Sequence, residues 1–231
     1  MAAWAGLTFL VLLLAAVITL YFLDWNLLRG PIGRYASARA GREIRIEGNL
    51  KVDLFRWQPH VEIGGLYAGN PPWVSGRPQA ALVKQAVVEF RLVPAIFGHW
   101  KLPLVELDTP DLLVVRDQSG RTNWDSSAAA SSNAKGASAS WRIPPINRFL
   151  VKDGHLEVDD DVRKLKFIGT ISSQEYARGG GSAFALTGDG TLNANKFTAD
   201  VHGGPLINVD ESRPYAFTAD ITAGDTHAVL K

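Results

Sequence analysis

From Glu43 onward the sequence alternates apolar and polar residues with a period of two, which is the pattern of a half-buried β-strand. The first alternating segment runs to Leu54 and is interrupted only at Gly48-Asn49, where a β-bulge or a tight turn fits. Later segments, bounded by turn-forming residues, cover residues 61–63, 83–93, 102–107, 112–116, 156–158, 165–171, 184–192, 197–201, 215–221 and 226–231. The sequence therefore predicts a mostly β protein whose strands each have one apolar face.

The first 25 residues differ from the rest because no charged residue occurs between Ala2 and Leu23. A helix of about 20 apolar residues is long enough to cross a hydrocarbon core of about 30 Å. A buried core helix and a cleaved signal peptide are the alternatives, but the apolar stretch is longer than the apolar region of a signal peptide and no convincing A-x-A cleavage site precedes Asp24. The pattern predicts a retained single-pass transmembrane anchor over residues 1–25.

The charges around this anchor predict its orientation. No Lys or Arg precedes the apolar stretch, and five arginines follow it: Arg29, Arg34, Arg39, Arg42 and Arg45. Taken alone, the positive-inside rule places the bulk of the chain in the cytoplasm. Residues 25–40 are predicted to form a short helix that ends at Gly41. We expect the arginines of this helix to face either lipid headgroups or solvent.

Composition divides the remainder of the chain. Residues 126–140 contain almost only Ser and Ala, which predicts a flexible linker. We therefore expect a β-rich domain over 26–125, the linker over 126–140 and a further β-rich region over 141–231. The last alternating segment reaches Lys231 without a turn signal, so we expect that region to be incomplete.

The sequence offers little chemistry. A net charge of +1 argues against nucleic acid, and the absence of Cys excludes disulfides, thiol nucleophiles and zinc fingers. The five histidines are far apart, and no nucleophile motif occurs. The glycines at 64–65 predict a loop, those at 179–181 and at 188 and 190 predict hairpin turns, and the acidic run 159–161 predicts a turn. We predict no catalytic residue, no cofactor and no metal site, and hence no enzyme.

Six motifs follow one another in a characteristic order. They are Gly41-Arg42-x-Ile44-x-Ile46-x-Gly48-x-Leu50-x-Val52-x-Leu54, Gly69-Asn70-Pro71-Pro72-Trp73, Val87-Val88-Glu89-Phe90-Arg91-Leu92-Val93-Pro94, Leu107-Asp108-Thr109-Pro110-Asp111-Leu112, Arg116-Asp117-x-x-Gly120-Arg121-x-Asn123-Trp124, and Val151-Lys152-Asp153-Gly154-His155-Leu156-Glu157-Val158-Asp159-Asp160. Together with the apolar amino-terminal stretch, this series resembles the amino-terminal region of the AsmA family of bacterial envelope proteins. Family members are usually longer and carry basic residues before the anchor, so we expect this chain to be a fragment or a truncated reading frame.

The resemblance implies an inner-membrane anchor with the remaining chain in the periplasm, against the literal count of arginines. It also implies a curved antiparallel sheet or groove, like that of bridge-like lipid transfer proteins, and membrane phospholipids as partners. Periodicity alone leaves such a groove and a closed β-sandwich equally open. The candidate groove residues are Ile44, Ile46, Leu50, Val52, Val88, Phe90 and Leu92. The expected function is phospholipid transport or outer-membrane homeostasis. The alternative is an assembly or scaffold factor that recruits outer-membrane and other envelope proteins by its strand edges.

Overall fold

The computed structural model describes residues 2–56, 58–99, 101–125, 146–178, 181–203 and 217–230. Eleven strands form one open, curved sheet, so the predicted mostly β fold is confirmed. The strands are β1 Ile44–Ile46, β2 Leu50–Asp53, β3 His60–Gly69, β4 Gln79–Glu89, β5 Leu102–Arg116, β6 Ile146–Asp160, β7 Leu165–Arg178, β8 Gly181–Leu192, β9 Asn195–Gly203, β10 Phe217–Ala223 and β11 Thr226–Leu230.

The helices are α1 (Ala2–Phe22), a 3₁₀ helix (Trp25–Leu28), α2 (Arg29–Ala40) and the short α3 (Leu92–Ile96). Gly41 ends α2 in the left-handed conformation with φ of 66°, as the sequence predicts. Over the described part of the chain, no helix combines the length and hydropathy needed to cross a membrane. The structure therefore gives no support to the predicted transmembrane helix.

From β3 to β11 the strands lie side by side in chain order, and β1 and β2 both pair with β3. The Gly48-Asn49 interruption is thus a bulge-like break within one sheet edge rather than a hairpin. All neighbours are antiparallel except β5 and β6, which are parallel. The predicted antiparallel sheet is therefore confirmed apart from this one pair, because sequence alternation carries no information about strand direction.

Several strand boundaries differ from the predictions. Residues 102–116 form one strand instead of two, since Thr109 (φ 47°) inserts a bulge without ending it. The glycines at 64–65 and those at 188 and 190 lie inside β3 and β8 instead of in turns. The acidic run 159–161 does lead into a turn, where Asp160 accepts hydrogen bonds from the amides of Val162 and Arg163. The predicted linker 126–140 lies outside the described residues.

A line of bulges crosses the middle of the sheet. Two successive residues break the alternation at the same level of four neighbouring strands: 64–65, 84–85, 108–109 and 152–153. Gly65, Thr109 and Asp153 there have φ of 59°, 47° and 48°. Because β3, β4, β5 and β6 each carry the extra residue, their register is kept while the strands bend together.

The β1–β2 edge of the sheet is covered by the helices that precede it. The Ser37 hydroxyl of α2 accepts from the Ile44 amide at 2.7 Å, and Asn26 Oδ1 accepts from the Leu50 amide at 3.0 Å. Arg29 Nη1 donates to the Gly48 carbonyl at 2.7 Å. Gly33 permits this approach, since a Cβ there would lie 3.0 Å from the Ile44 carbonyl oxygen. Side chains thus occupy backbone groups that would otherwise accept another strand.

Candidate functional site

One face of the sheet is apolar from its first strand to its last. Residues paired across neighbouring strands point to the same face, so the strand register identifies this face directly. One row of partners is Val52, Val61, Val88, Val105 and Phe149. A second row is Ile44, Ala68, Ala81, Leu112, Leu156, Gly169, Gly190, Phe197 and Ala223. The two rows lie seven residues apart on β3, β4, β5 and β6, and the line of bulges between them brings both rows to one face, which we call the apolar face.

The apolar face is only partly covered. Val83, Ala86 and Pro110, beside the line of bulges, are among its buried residues. Most other members, including Val61, Leu112 and Ile171, are half-buried. Helix α2 contacts β1 at the edge of the sheet instead of lying over this face. Among the described elements, a single open sheet therefore presents its apolar side, which favours the groove over the closed sandwich.

The structure places five of the seven predicted groove residues on the apolar face, namely Ile44, Ile46, Leu50, Val52 and Val88. Phe90 and Leu92 are not on a strand, because β4 ends at Glu89 and the chain turns into α3. The prediction that these two share a strand face with Val88 is wrong. The phenylalanines of the second half, Phe149, Phe167, Phe184 and Phe197, join the face through pairing that the sequence alone does not show.

Phe90 and Leu92 instead line a cavity of about 550 Å³ at the end of the sheet where β4 stops. Leu54, Pro59 and Pro103 complete its apolar wall, while Arg56, Glu89 and Arg91 stand among its polar lining. Phe55 lies in the chain between the lining residues Leu54 and Arg56, and its ring centroid is 6.0 Å from that of Tyr21. The carboxyl-terminal end of α1 therefore reaches the same end of the sheet.

Glu175 is an acidic residue on the apolar face, opposite Phe184 of β8. Both of its carboxylate oxygens are buried, and neither has a hydrogen-bond partner among the residues that the structure describes. Burial raises the pKa of Glu175, while the nearby Phe149 amide and Arg148 guanidinium oppose the rise. The neutral acid is thus more populated at a given pH than in a free glutamate, which reduces the cost of placing it among apolar groups.

Beside the end of β5, Asn123 and Asn70 form a hydrogen-bonded pair of amide side chains, which we call the asparagine hub. Asn123 is 0% exposed, and its Oδ1 accepts from the Val115 amide at 2.8 Å. Its Nδ2 donates to Asn70 Oδ1 and to the Leu113 carbonyl, both at 2.8 Å. Asn70 in turn donates to the carbonyls of Arg77 and Gln79. The hub holds the 70–78 loop and the 122–125 turn against β5.

Arginine side chains stack on the tryptophans of the same two motifs. Arg42 lies 5.2 Å from the ring centroid of Trp124 and donates to the Asn123 carbonyl at 2.7 Å. Arg121 lies 4.2 Å from the ring centroid of Trp73. Residues of three sequence motifs, to which the sequence assigned no role, therefore contact one another in the fold. The motifs are far apart along the chain, so the sequence did not predict these contacts.

We expect Asn123→Asp to destabilise the protein by at least about 2 kcal/mol. The change replaces two buried donors by acceptors that face Asn70 Oδ1 and the Leu113 carbonyl, and each orphaned buried group costs about 1–3 kcal/mol. Urea denaturation of the detergent-solubilised chain measures the loss. The control is Asn195→Asp at an exposed position, which should remain within about 0.5 kcal/mol. Equal midpoints for both variants would contradict the role of the hub.

The AsmA family model matches residues 1–218, and the chain belongs to the AsmA family. A similar curated protein is the AsmA family protein YhjG of Escherichia coli (strain K12), with 28% identity over 264 residues. The match covers 99% of this chain and 37% of YhjG, so the chain spans a little over a third of its relative's length. No solved structure matches the chain. Family membership supports a role connected with the bacterial envelope.

Proposed function

We propose that the protein carries the acyl chains of membrane phospholipids along the apolar face of its sheet. The observation that carries this proposal is the continuity of that face over β1 to β11, with most of its side chains half-buried. Apolar area removed from water stabilises an acyl complex by roughly 25 cal/mol per Å², and the described helices leave this area open. The proposed role needs no catalytic residue and no cofactor.

The proposed location is the inner membrane, with α1 as a single-pass anchor and the sheet in the periplasm. It is supported by family membership and by the absence of charged residues from Ala2 to Leu23. The described side chains of α1 are exposed, including Leu7, Leu10 and Leu12. A phosphatase reporter fused after Lys231 should be active in cells. An inactive export reporter together with an active cytoplasmic one at the same site would contradict this orientation.

Native mass spectrometry of the full chain, released from detergent, tests the transport proposal. We expect adducts with phospholipid masses that survive removal of the detergent micelle.

The alternative, a scaffold for outer-membrane proteins, draws on β11, the last strand of the sheet, whose Val229 is exposed. Recovery of a stoichiometric protein partner with a lipid-free chain would favour the scaffold and overturn transport.

A further inference from the structure

The chain leaves the sheet after β4 and returns at β5 through residues 91–101, which we call the α3 loop. Its helix ends in a tight turn, where the Phe97 and His99 amides donate to the Pro94 carbonyl and Gly98 has φ of 79°. Large apolar side chains project from this turn, with Val93 67% exposed, Ile96 71% and Phe97 74%. A single exposed apolar residue is ordinary, but several on one short turn indicate a contact surface.

Two basic residues stand at the base of the α3 loop. The Arg91 amide donates to the Lys101 carbonyl at 3.3 Å, so the two positions lie opposite each other where the loop leaves and rejoins the sheet. Both residues are exposed, and neither takes part in a salt bridge between described residues. Acidic residues are absent from 91–101. The loop therefore has an apolar tip above a basic base.

This order of groups matches the interface of a bilayer that contains anionic lipid. Apolar side chains gain free energy in the acyl region, while Lys and Arg remain at the level of the phosphates. Each basic residue near an anionic surface adds to the attraction between the loop and the leaflet. A protein partner would have to bury the same tip and also supply acidic groups around its base, whereas an anionic leaflet offers both at once.

The position of the α3 loop also supports an anionic lipid leaflet as its binding partner. Leu92, Val93 and Pro94 line the end cavity together with Leu54, and Phe55, the next residue, contacts Tyr21 at the end of α1. The α3 loop and the carboxyl-terminal end of α1 therefore lie at one end of the sheet. We propose that the tip of the α3 loop inserts into an anionic leaflet and so holds this end of the apolar face at the bilayer surface. The inference rests on the proposed membrane location of the protein.

The absence of native cysteine allows the insertion to be measured in the full chain by single-cysteine labelling. Three exposed positions are suitable: Leu12→Cys in α1, Ile96→Cys in the α3 loop and Val162→Cys in the β6–β7 turn. Each carries an environment-sensitive fluorophore and is reconstituted into phosphatidylcholine vesicles with or without phosphatidylglycerol. Doxyl-labelled lipids in these vesicles quench only fluorophores that lie within the bilayer.

We expect severalfold quenching at Ile96 in vesicles with phosphatidylglycerol, quenching at Leu12 in both compositions, and none at Val162. Changing both Arg91→Ala and Lys101→Ala should remove the dependence on phosphatidylglycerol. A quenched Leu12 beside an unquenched Ile96 overturns insertion of the loop and leaves the anchor intact. A quenched Ile96 beside an unquenched Leu12 supports the loop and overturns the anchor. Ile96 quenching that is equal in both vesicles, with or without the double change, also overturns the proposal.

Discussion

Val88→Asn is expected to remove most of the lipid that copurifies with the chain, whereas Val87→Asn is expected to leave it in place. Val88 pairs with Val61 and Val105 on the apolar face, and Val87 pairs with Glu62 and Glu106 on the polar face. An amide buried without a partner costs about 1–3 kcal/mol in proteins, which corresponds to a roughly 5- to 150-fold loss of affinity. The polar face keeps its amide in water or beside carboxylates and incurs no such cost.

Val87 and Val88 form a matched pair, because both lie in β4, both are half-buried and both receive the same substitution. Lipid-to-protein ratios from native mass spectrometry measure the effect, and circular dichroism measures the sheet. In a groove, Val88→Asn loses lipid while the strand signal is retained. Loss of the strand signal in Val88→Asn alone would instead indicate a closed core. Equal lipid content in the two variants would contradict the assignment of the apolar face.

Gly169→Ala and Gly190→Ala are each expected to destabilise the sheet by more than about 3 kcal/mol, above the usual cost of overpacking. These two glycines are cross-strand partners in β7 and β8. A Cβ at Gly169 would lie 2.2 Å from the Asp189 carbonyl oxygen and 2.7 Å from Phe167 Cζ. A Cβ at Gly190 would lie 2.2 Å from the Ile168 carbonyl oxygen. Because the obstructing atoms are mostly backbone, the strands themselves must separate.

The control for this prediction is Gly188→Ala, because Gly188 lies in β8 two residues before Gly190. Its Cβ would approach the Thr170 carbonyl oxygen only to 3.3 Å, so we expect a cost below about 1 kcal/mol. Urea denaturation followed by circular dichroism compares the three variants. If Gly188→Ala is as destabilising as the other two, close packing between β7 and β8 is not the reason for these glycines.

The sequence predicted the features of the fold that depend only on neighbouring residues in the chain. Alternation at Ile44, Ile46, Leu50 and Val52 identified strands and the correct shared face, because a period of two follows from strand geometry itself. It failed where a bulge or a turn breaks the period. Thr109 kept β5 continuous where two strands were expected, and Pro94 helps turn the chain into α3 just beyond Glu89.

What the sequence could not predict depends on pairing between distant residues. Phe149 joins Val105 on the apolar face only because β5 and β6 run parallel, and no local signal specifies that direction. The asparagine hub likewise joins residues 53 positions apart. The motifs marked Asn70 and Asn123 as notable, but their hydrogen bond requires β5 and the 70–78 loop to be folded together.

The parallel alignment of β5 and β6 sets a minimum length for the chain that connects them. Trp124 donates to the Leu113 carbonyl, whereas Ile146 begins β6 beside Leu102. Eleven positions of β5 separate those two levels, or about 36 Å at about 3.3 Å per residue. The twenty intervening residues, 126–145, have a covalent reach of about 70 Å. Deletion of more than about half of residues 126–145 is therefore expected to leave the connection too short for β6 to begin beside Leu102.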